Sequence, residues 1–248
     1  KRTALAVGVS VTPGIDNLTI HTLLGKYPDT AALQALAKAE KLALDKAAFG
    51  ADVALEMQAD AVLNAGYRKG IDLFSVDEMC AELQKLVAQM YRKYPHNRIR
   101  LKAIGGGGGK GQRILGSLDA VEGKTLEERI TRAAARAPER AREILAEVKT
   151  TGVGDNKNIL IELNIESTRH QEIQVIGNGV WATTLGGRDC SLQMHEQKLL
   201  EVSVTEEELG IAIAAARAAG RAEELRVLEM DLTILQRMEA EAARFGEA

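Results

Sequence analysis

The sequence is poor in aromatic residues and cysteine, and it has no large excess of charge of either sign. Aromatic residues make up only 3% of the chain, too few for the base-stacking surfaces of proteins that bind single-stranded nucleic acid. The net charge of −3, from 32 basic and 35 acidic residues, also argues against a nucleic-acid partner. Two cysteines, Cys80 and Cys190, cannot form a disulfide framework, which favours the reducing environment of the cytoplasm.

Long apolar runs are missing as well. No stretch approaches the roughly 20 consecutive apolar residues that cross a membrane, and the first residues do not have the pattern of a signal peptide. We therefore expect a cytoplasmic protein without a membrane partner. With 248 residues, 46% of them apolar, the chain is long enough for one sizeable core or two small ones.

The apolar pattern predicts a mixed fold of the α/β (α+β) class, with helical regions on either side of a small antiparallel sheet. Helices are predicted over 30–49, 51–65, 75–94, 118–148, 205–219 and 225–245. Strands are predicted over 98–104, 112–115, 159–163, 172–176 and 180–185, the last two as a hairpin. Two capping boxes, Ser75 with Glu78 and Thr205 with Glu208, mark helix starts. We expect three segments, with boundaries at 1–97, 98–204 and 205–248.

Glycine is abundant, and one run of it stands between two predicted strands. The run consists of Gly105, Gly106, Gly107, Gly108 and Gly109. Ordering five glycines costs much backbone entropy, so the run indicates a backbone that closely approaches a ligand, and phosphate is the usual target of such N–H groups. Lys102 and Lys110 flank it and supply charge for a polyphosphate. The P-loop and dinucleotide-fold glycine patterns are absent, and a flexible linker is the alternative.

Polar residues on two later strands are further candidates for a binding site. Glu162 ends the strand over 159–163 and is placed to meet an adenine edge; a solvated carboxylate is the alternative. His170, Glu172 and Gln174 alternate, so they share one face of a strand. That face either lines a ligand site or is simply the exposed side of a sheet.

A dense polar stretch over 187–198 predicts a loop that lines a site. Its polar members are Arg188, Asp189, Gln193, His195, Glu196 and Lys198. Cys190 has no evident base partner and no metal-ligand spacing, so we expect it to be a buried packing residue.

Taken in order, these motifs resemble the ATP-grasp region of biotin carboxylase, the ATP-using component of acetyl-CoA, propionyl-CoA and pyruvate carboxylases. The resemblance rests on Lys102 with the glycine run, RHQEIQV at 169–175, RDCSLQ at 188–193 and QK at 197–198. It implies an ATP-grasp lid subdomain with a small antiparallel sheet, flanked by helical insertions. It also implies ATP, Mg2+ and biotin as cofactors. The implied partners are bicarbonate, a biotinyl carrier domain and a carboxyltransferase domain or subunit, in an oligomeric parent.

The same resemblance implies a role for each matching residue. Lys102 contacts the ATP phosphates, and the glycine run with Lys110 closes over them. Glu162 and the backbone from Leu163 to Ile165 meet adenine. His170, Glu172 and Gln193 line the nucleotide side. Lys198 lies near bicarbonate and the transferred phosphoryl group, as the catalytic residue. No metal ligand is expected within the chain.

The sequence departs from this family at several positions. Glu196 stands where the family has a histidine, with His195 one residue earlier, and Gly187 replaces a glutamate. Residues 229–231 superficially resemble the metal-binding strand but sit in a helical leucine pattern. We expect a fragment of a biotin carboxylase that is inactive alone. The alternatives are a carbamoyl-phosphate-synthetase-like ligase and a non-catalytic nucleotide-binding or scaffolding module.

Overall fold

The computed structural model describes residues 1–104, 110–150, 157–194 and 197–248. It divides into two compact units, Pro13–Asn164 on one side and Lys1–Thr12 with Ile165–Ala248 on the other. These boundaries differ from those of the three predicted segments, which remain a prediction. In the part of the chain that is described, no helix is long and apolar enough to cross a membrane.

The secondary structure mixes helices with short strands, as predicted. The helices are α1 (Arg2–Ala6), α2 (Leu18–Lys26), α3 (Thr30–Ala39), α4 (Leu55–Lys69), α5 (Val76–Lys93), α6 (Leu126–Ala134), α7 (Ala137–Thr150), α8 (Glu206–Ala218) and α9 (Ala222–Gly246). The strands are β1 (Gly14–Ile15), β2 (Ile99–Ala103), β3 (Gln112–Leu115), β4 (Ile159–Leu163), β5 (Gln171–Gly177), β6 (Ala182–Asp189), β7 (Gln193–Met194), β8 (Gln197–Lys198) and β9 (Val202–Val204). Two 3-10 turns, Lys46–Phe49 and Leu118–Ala120, complete the set.

The first unit, Pro13–Asn164, is built on an antiparallel sheet in the order β1-β4-β2-β3. Buried and half-buried residues alternate along β2 and β4, so the predicted half-buried strands are confirmed. The buried side chains of α5 and α7 share one core with those of β2 and β4. The opposite face of the sheet carries the half-buried residues Arg100, Lys102 and Glu162.

Helix α5 begins and ends where the sequence predicts. Ser75 and Glu78 form a capping box, and the helix ends at Lys93. Its predicted apolar face is buried, with Met79, Leu83, Leu86 and Met90 all at most 5% exposed. Five turns of helix with one apolar stripe thus supply much of the unit's core.

The helices before α5 differ from prediction in three ways. The helix predicted over 30–49 ends at Ala39, and a 3-10 turn follows later. The helix predicted over 51–65 begins at Leu55 and continues through Gly66. Glycine suits this position because Leu73 lies 3.0 Å from where a Cβ of Gly66 would stand. The helix ends at Gly70, whose φ of +73° suits glycine. Helix α2 was not predicted, and its N-cap, Asn17, makes no side-chain capping bond.

The helix predicted over 118–148 is interrupted, as expected near Pro138. The structure has a 3-10 turn, then α6 and α7 with a break at Ala135 and Arg136. Pro138 lies in the first turn of α7, where its missing N–H removes no helical hydrogen bond.

The second unit holds a sheet of order β5-β6-β9, and α9 packs against α8, β5 and β6. The predicted hairpin is confirmed. Between the Ile173–Gly187 and Val175–Thr184 pairs β6 has one extra residue, and Gly186 there has a φ of +81°. Along α9, Leu225, Leu228 and Leu232 are half-buried, and Leu235 is 5% exposed.

The prediction of a loop over 187–198 is wrong for most of that range. Residues 187–189 belong to β6, which pairs with both β5 and β9. Gln193–Met194 then pairs with Gln197–Lys198 as a two-stranded ladder. Strands of two residues show no apolar alternation, so period-2 patterning cannot reveal them. Cys190 is buried, as predicted.

Candidate functional site

In the first unit, the predicted phosphate-binding residues stand at the end of the β2–β3 pair. Lys102 is opposite Gln112 across the ladder, and Lys110 is exposed just before β3. The Ala103 N–H donates to the Gly111 carbonyl at 2.8 Å, so the two strands stay paired up to the connecting segment. The predicted glycine residues 105–109 lie in that segment, outside the described residues.

The predicted adenine-contacting residues of this unit lie on β4. Glu162 is the cross-strand partner of Arg100 and is half-buried. The Leu163 N–H donates to the Pro13 carbonyl at 3.0 Å, and the Asn164 N–H donates to the Arg98 carbonyl at 2.8 Å. Both N–H groups are therefore hydrogen-bonded within the unit.

Arg100 is a residue on this face to which sequence reasoning gave no role. Its Nε and Nη2 donate to the Asn164 Oδ1 at 3.0 and 2.8 Å, and its Nη1 donates to the Gln112 Oε1. The signal that reveals it is strand alternation, which puts Arg100 on the same face as Lys102.

In the second unit, four charged side chains form a closed ring of ion pairs. Arg188 donates to the Glu172 Oε2 at 2.7 Å and also to Glu201. Lys198 contacts Glu172 and lies 3.4 Å from the Glu201 Oε1. The β5–β6 register explains the ring, because Glu172 and Arg188 are cross-strand partners. Sequence reasoning gave Glu201 no role, because no alternation along a strand relates it to Glu172, Arg188 and Lys198.

The ring shifts the pKa values of Lys198 and Glu172. The hydrogen bond to Glu172 raises the pKa of Lys198, although partial burial opposes the shift. The same contact with Lys198 holds the pKa of Glu172 below its usual range, and Arg188 lowers it further. Lys198 is therefore a firmly held positive charge on a side chain that is 30% exposed.

His170 and Gln193 lie beside this ring. The Gln193 Nε2 is 2.5 Å from the His170 Nδ1 and donates to the Cys190 carbonyl at 2.8 Å. The His170 Nε2 is 3.8 Å from the Glu172 Oε1. Because Gln193 is also the cross-strand partner of Lys198, the structure gathers the predicted residues of this unit except Ile165. Ile165, the first residue of the part of this unit that runs from Ile165 to Ala248, is exposed.

Arg169 anchors the ring's strand to helix α9. It donates to the Asp189 Oδ2 at 2.7 Å and to the Asp231 Oδ1 at 2.8 Å, and both contacts raise its pKa. Residues 229–231 lie in helix α9 and therefore do not form the metal-binding strand that they superficially resemble. Over the described residues, no group of three or more His, Cys, Asp or Glu side chains is placed to hold a metal ion.

The predicted residues thus fall into two groups. Lys102, Lys110, Glu162 and Leu163 belong to the first unit, and the rest of those described belong to the second. His195 and Glu196, the position of the departure from the family, lie outside the described residues.

Comparison with known proteins identifies the family. Residues 75–209 match the model of the carbamoyl-phosphate synthase L chain, ATP binding domain. The biotin carboxylase of Haemophilus influenzae is 36% identical over 107 residues, covering 42% of this chain and 19% of that protein. Biotin carboxylase 1 of Bacillus subtilis is 38% identical over 131 residues, covering 49% and 25%. A solved biotin carboxylase complex from Campylobacter jejuni has 18% identity, a TM-score of 0.43 and coverage of 91% and 35%.

These relatives confirm the resemblance to the ATP-grasp region of biotin carboxylases, of whose length the chain spans a fifth to a quarter. The matched region contains the β2–β3 pair with Lys102 and the ring with Lys198. The chain belongs to the carbamoyl-phosphate synthase L chain, ATP binding domain family.

Proposed function

We propose that this chain is the lid-bearing part of a biotin carboxylase, which uses ATP and bicarbonate to carboxylate biotin. The observation that carries the proposal is the ring of Glu172, Arg188, Lys198 and Glu201. It holds an ammonium group in place with a raised pKa. A fixed, always protonated lysine is what stabilises the charge of a phosphoryl group in transfer.

The first unit binds the nucleotide in this proposal. Lys102 contacts the phosphates, the glycine residues 105–109 with Lys110 close over them, and Glu162 with the backbone from Leu163 to Ile165 meets the adenine. His170, Glu172 and Gln193 are assigned to the nucleotide side, as the resemblance implies. The contacts among His170, Glu172, Gln193 and Lys198 support the assignments in the second unit.

The reaction places Lys198 at the phosphoryl group. A bicarbonate oxygen forms a bond to the γ-phosphorus of ATP, and the bond to ADP breaks. The resulting carboxyphosphate breaks down to CO2 and phosphate, and the ureido nitrogen of biotin bonds to the CO2 carbon while its proton passes to the released phosphate. Lys198 neutralises the charge that develops on the equatorial oxygens. Among the described residues, no group of three or more His, Cys, Asp or Glu side chains could hold Mg2+. The Mg2+ ligands are proposed to lie mostly outside this chain.

The partners follow from the same proposal. Biotin is delivered by a biotinyl carrier domain, and a carboxyltransferase domain or subunit uses the carboxylated product. The parent is proposed to be an oligomeric cytoplasmic enzyme that serves an acyl-CoA or keto acid. Within it, 98–204 is the lid segment, 1–97 its lead-in with a helical insertion and 205–248 a helical segment.

A carbamoyl-phosphate-synthetase-like ligase is the alternative with a related mechanism. The relatives at 36% and 38% identity favour a biotin carboxylase over it. A non-catalytic module is the third candidate, since a carboxylate at Glu196 is unfavourable beside phosphates.

The test has two stages. For the chain alone, calorimetry with MgATP is expected to give a Kd weaker than about 1 μM. For the longer protein that the proposal requires, ADP release is expected to depend on bicarbonate and biotin. Lys198→Ala is expected to lower that rate by about 100-fold or more, while Lys149→Ala, at an exposed helix end, leaves it unchanged. The proposal would be overturned if the longer protein gave no heat of MgATP binding in calorimetry and no bicarbonate-dependent release of ADP.

A further inference from the structure

Asp231 is a carboxylate of helix α9 that faces the strands of the second unit. Its side chain is 15% exposed, and its two oxygens accept hydrogen bonds from the Arg169 Nη1 at 2.8 and 2.9 Å. Two residues earlier on the same helix, Glu229 is 50% exposed and pairs with Arg217 of α8 instead. Asp231 therefore ties α9 to the residues that lead into β5.

Arg169 is held from two sides, and its second partner belongs to β6. Its Nε and Nη2 donate to the Asp189 Oδ2 at 3.0 and 2.7 Å. All three nitrogens of the guanidinium are thus bonded to carboxylates, and because they lie in one plane these bonds fix the orientation of that plane. The start of β5, the end of β6 and helix α9 meet at this one side chain.

From Asp189 the contacts continue to His170. The Asp189 Oδ1 accepts from the Ser191 N–H at 2.9 Å, and the Ser191 Oγ accepts from the His170 N–H at 2.9 Å. The His170 carbonyl accepts from the Cys190 N–H at 2.8 Å, and the His170 Nδ1 lies 2.5 Å from the Gln193 Nε2. The backbone and the ring of His170 are both tied to residues that directly follow β6.

We propose that Asp231 is a positioning residue, which acts through Arg169 to hold His170 on the nucleotide side of the site. This inference rests on the proposed function, and it gives helix α9 a part in the site. Arg169, oriented by Asp231, fixes the start of β5 relative to the end of β6, and Gln193 contacts His170 from there. A misplacement of about 1 Å in a site can lower the rate of a reaction by about 100-fold.

The test separates position from stability in the full chain. Asp231→Asn keeps the size of the side chain and removes its charge, so that Arg169 loses one of its two anchors. We expect the nuclear Overhauser effect between the Gln193 side-chain amide protons and the His170 ring to be lost, because the two side chains no longer share one position. Urea unfolding followed by Trp181 fluorescence measures the stability of the same unit.

Two further variants complete the design. Glu229→Gln is the matched control, since it removes a carboxylate of α9 that pairs with α8. It should leave the effect between Gln193 and His170 in place, whatever it does to stability. Arg169→Lys keeps the positive charge but not the planar fork that bonds two carboxylates. It is expected to abolish the effect as well, which keeps the proposal testable if Asp231→Asn does not fold.

The outcomes separate the two proposals. If Asp231→Asn lowers stability while the effect between Gln193 and His170 persists, Asp231 has a structural role only and the positioning role is wrong. It is wrong as well if the unchanged chain shows no such effect. In the longer protein, Asp231→Asn is expected to slow bicarbonate-dependent ADP release by about tenfold, and an unchanged rate would overturn the positioning role. If the effect depends on Asp231 but the longer protein releases no ADP, the positioning stands and the proposed function is wrong.

Discussion

At the scale of single residues, Asp189 is a carboxylate with a strongly lowered pKa, next in sequence to Arg188 of the ring. Hydrogen bonds from Ser191, and then the Arg169 guanidinium, lower its pKa to about 2 despite partial burial. A carboxylate with a depressed folded-state pKa contributes stability above its unfolded pKa, near 4. That contribution is lost as the pH falls from about 4 towards 2.

Asp189→Asn is therefore expected to destabilise the second unit by about 1–2 kcal/mol at neutral pH. The difference from the unchanged chain should shrink as the pH falls below about 4. Urea unfolding followed by Trp181 fluorescence measures this, because the single tryptophan lies in the same unit. Asp52→Asn, on an exposed turn, is the control and should change little. A pH-independent difference would contradict the prediction.

Lys198 is the second residue whose state depends on one neighbour. Since Glu172 is the main cause of its raised pKa, Glu172→Gln is expected to lower the pKa of Lys198 towards 10.5. Titration of the lysine ε-carbon signal by NMR measures the shift. Glu207→Gln, an exposed change in the first turn of α8, should leave it in place. An unchanged Lys198 pKa in Glu172→Gln would show that Glu201 alone holds the ammonium group.

At the scale of elements, capping boxes mark where helices α5 and α8 begin. Both predicted capping boxes are present, at Ser75 with Glu78 and at Thr205 with Glu208. Each satisfies two N–H groups that a helix otherwise leaves open. These starts were predictable because the partners are three residues apart.

Ser75→Ala is expected to lower the free energy of unfolding of the first unit by about 1 kcal/mol. It removes the acceptor for the Glu78 N–H, now at 3.1 Å. Ser75→Asp keeps an acceptor at the same place and should restore most of the loss. Urea unfolding followed by far-UV circular dichroism compares the three chains. An alanine variant as stable as the original would mean that water replaces the cap without cost.

Elements without such local signals were not predicted. Helix α2 has no capping bond, and the two-residue strands β7 and β8 have no pattern of their own. Gly66 was predicted to end the helix, yet it lies inside α4, where the missing Cβ leaves room for Leu73. In these elements packing and pairing outweigh the propensity of single residues.

At the scale of the whole molecule, the two hydrophobic clusters decide which piece of the chain can stand alone. Both lie within Pro13–Asn164, with the helices α2 to α7 and the sheet β1-β4-β2-β3. The predicted central segment, 98–204, lacks α5 and with it the buried Met79, Leu83 and Leu86. It therefore loses much of the core that its own strands need.

We expect the fragment 13–164 to unfold cooperatively in urea, with a free energy within the usual range of about 5–15 kcal/mol for a domain. The fragment 98–204 is the comparison and should show no cooperative transition. Far-UV circular dichroism on both decides between the two divisions of the chain. Cooperative unfolding of 98–204 would favour the predicted segment boundaries over the compact units.

The sequence by itself determined the strands β2 and β4, the start of α5 and the identity of the family, because alternation, caps and motif order are local. It also named Lys102, Glu172 and Lys198. Only the tertiary structure brought Glu201 to Lys198 and Arg188, and Asn164 to Arg100. The Arg100–Asn164 contact follows the β2–β4 register and the Arg188–Glu201 contact lies beside the β6–β9 register, and strand register leaves no trace in the spacing of residues along the sequence.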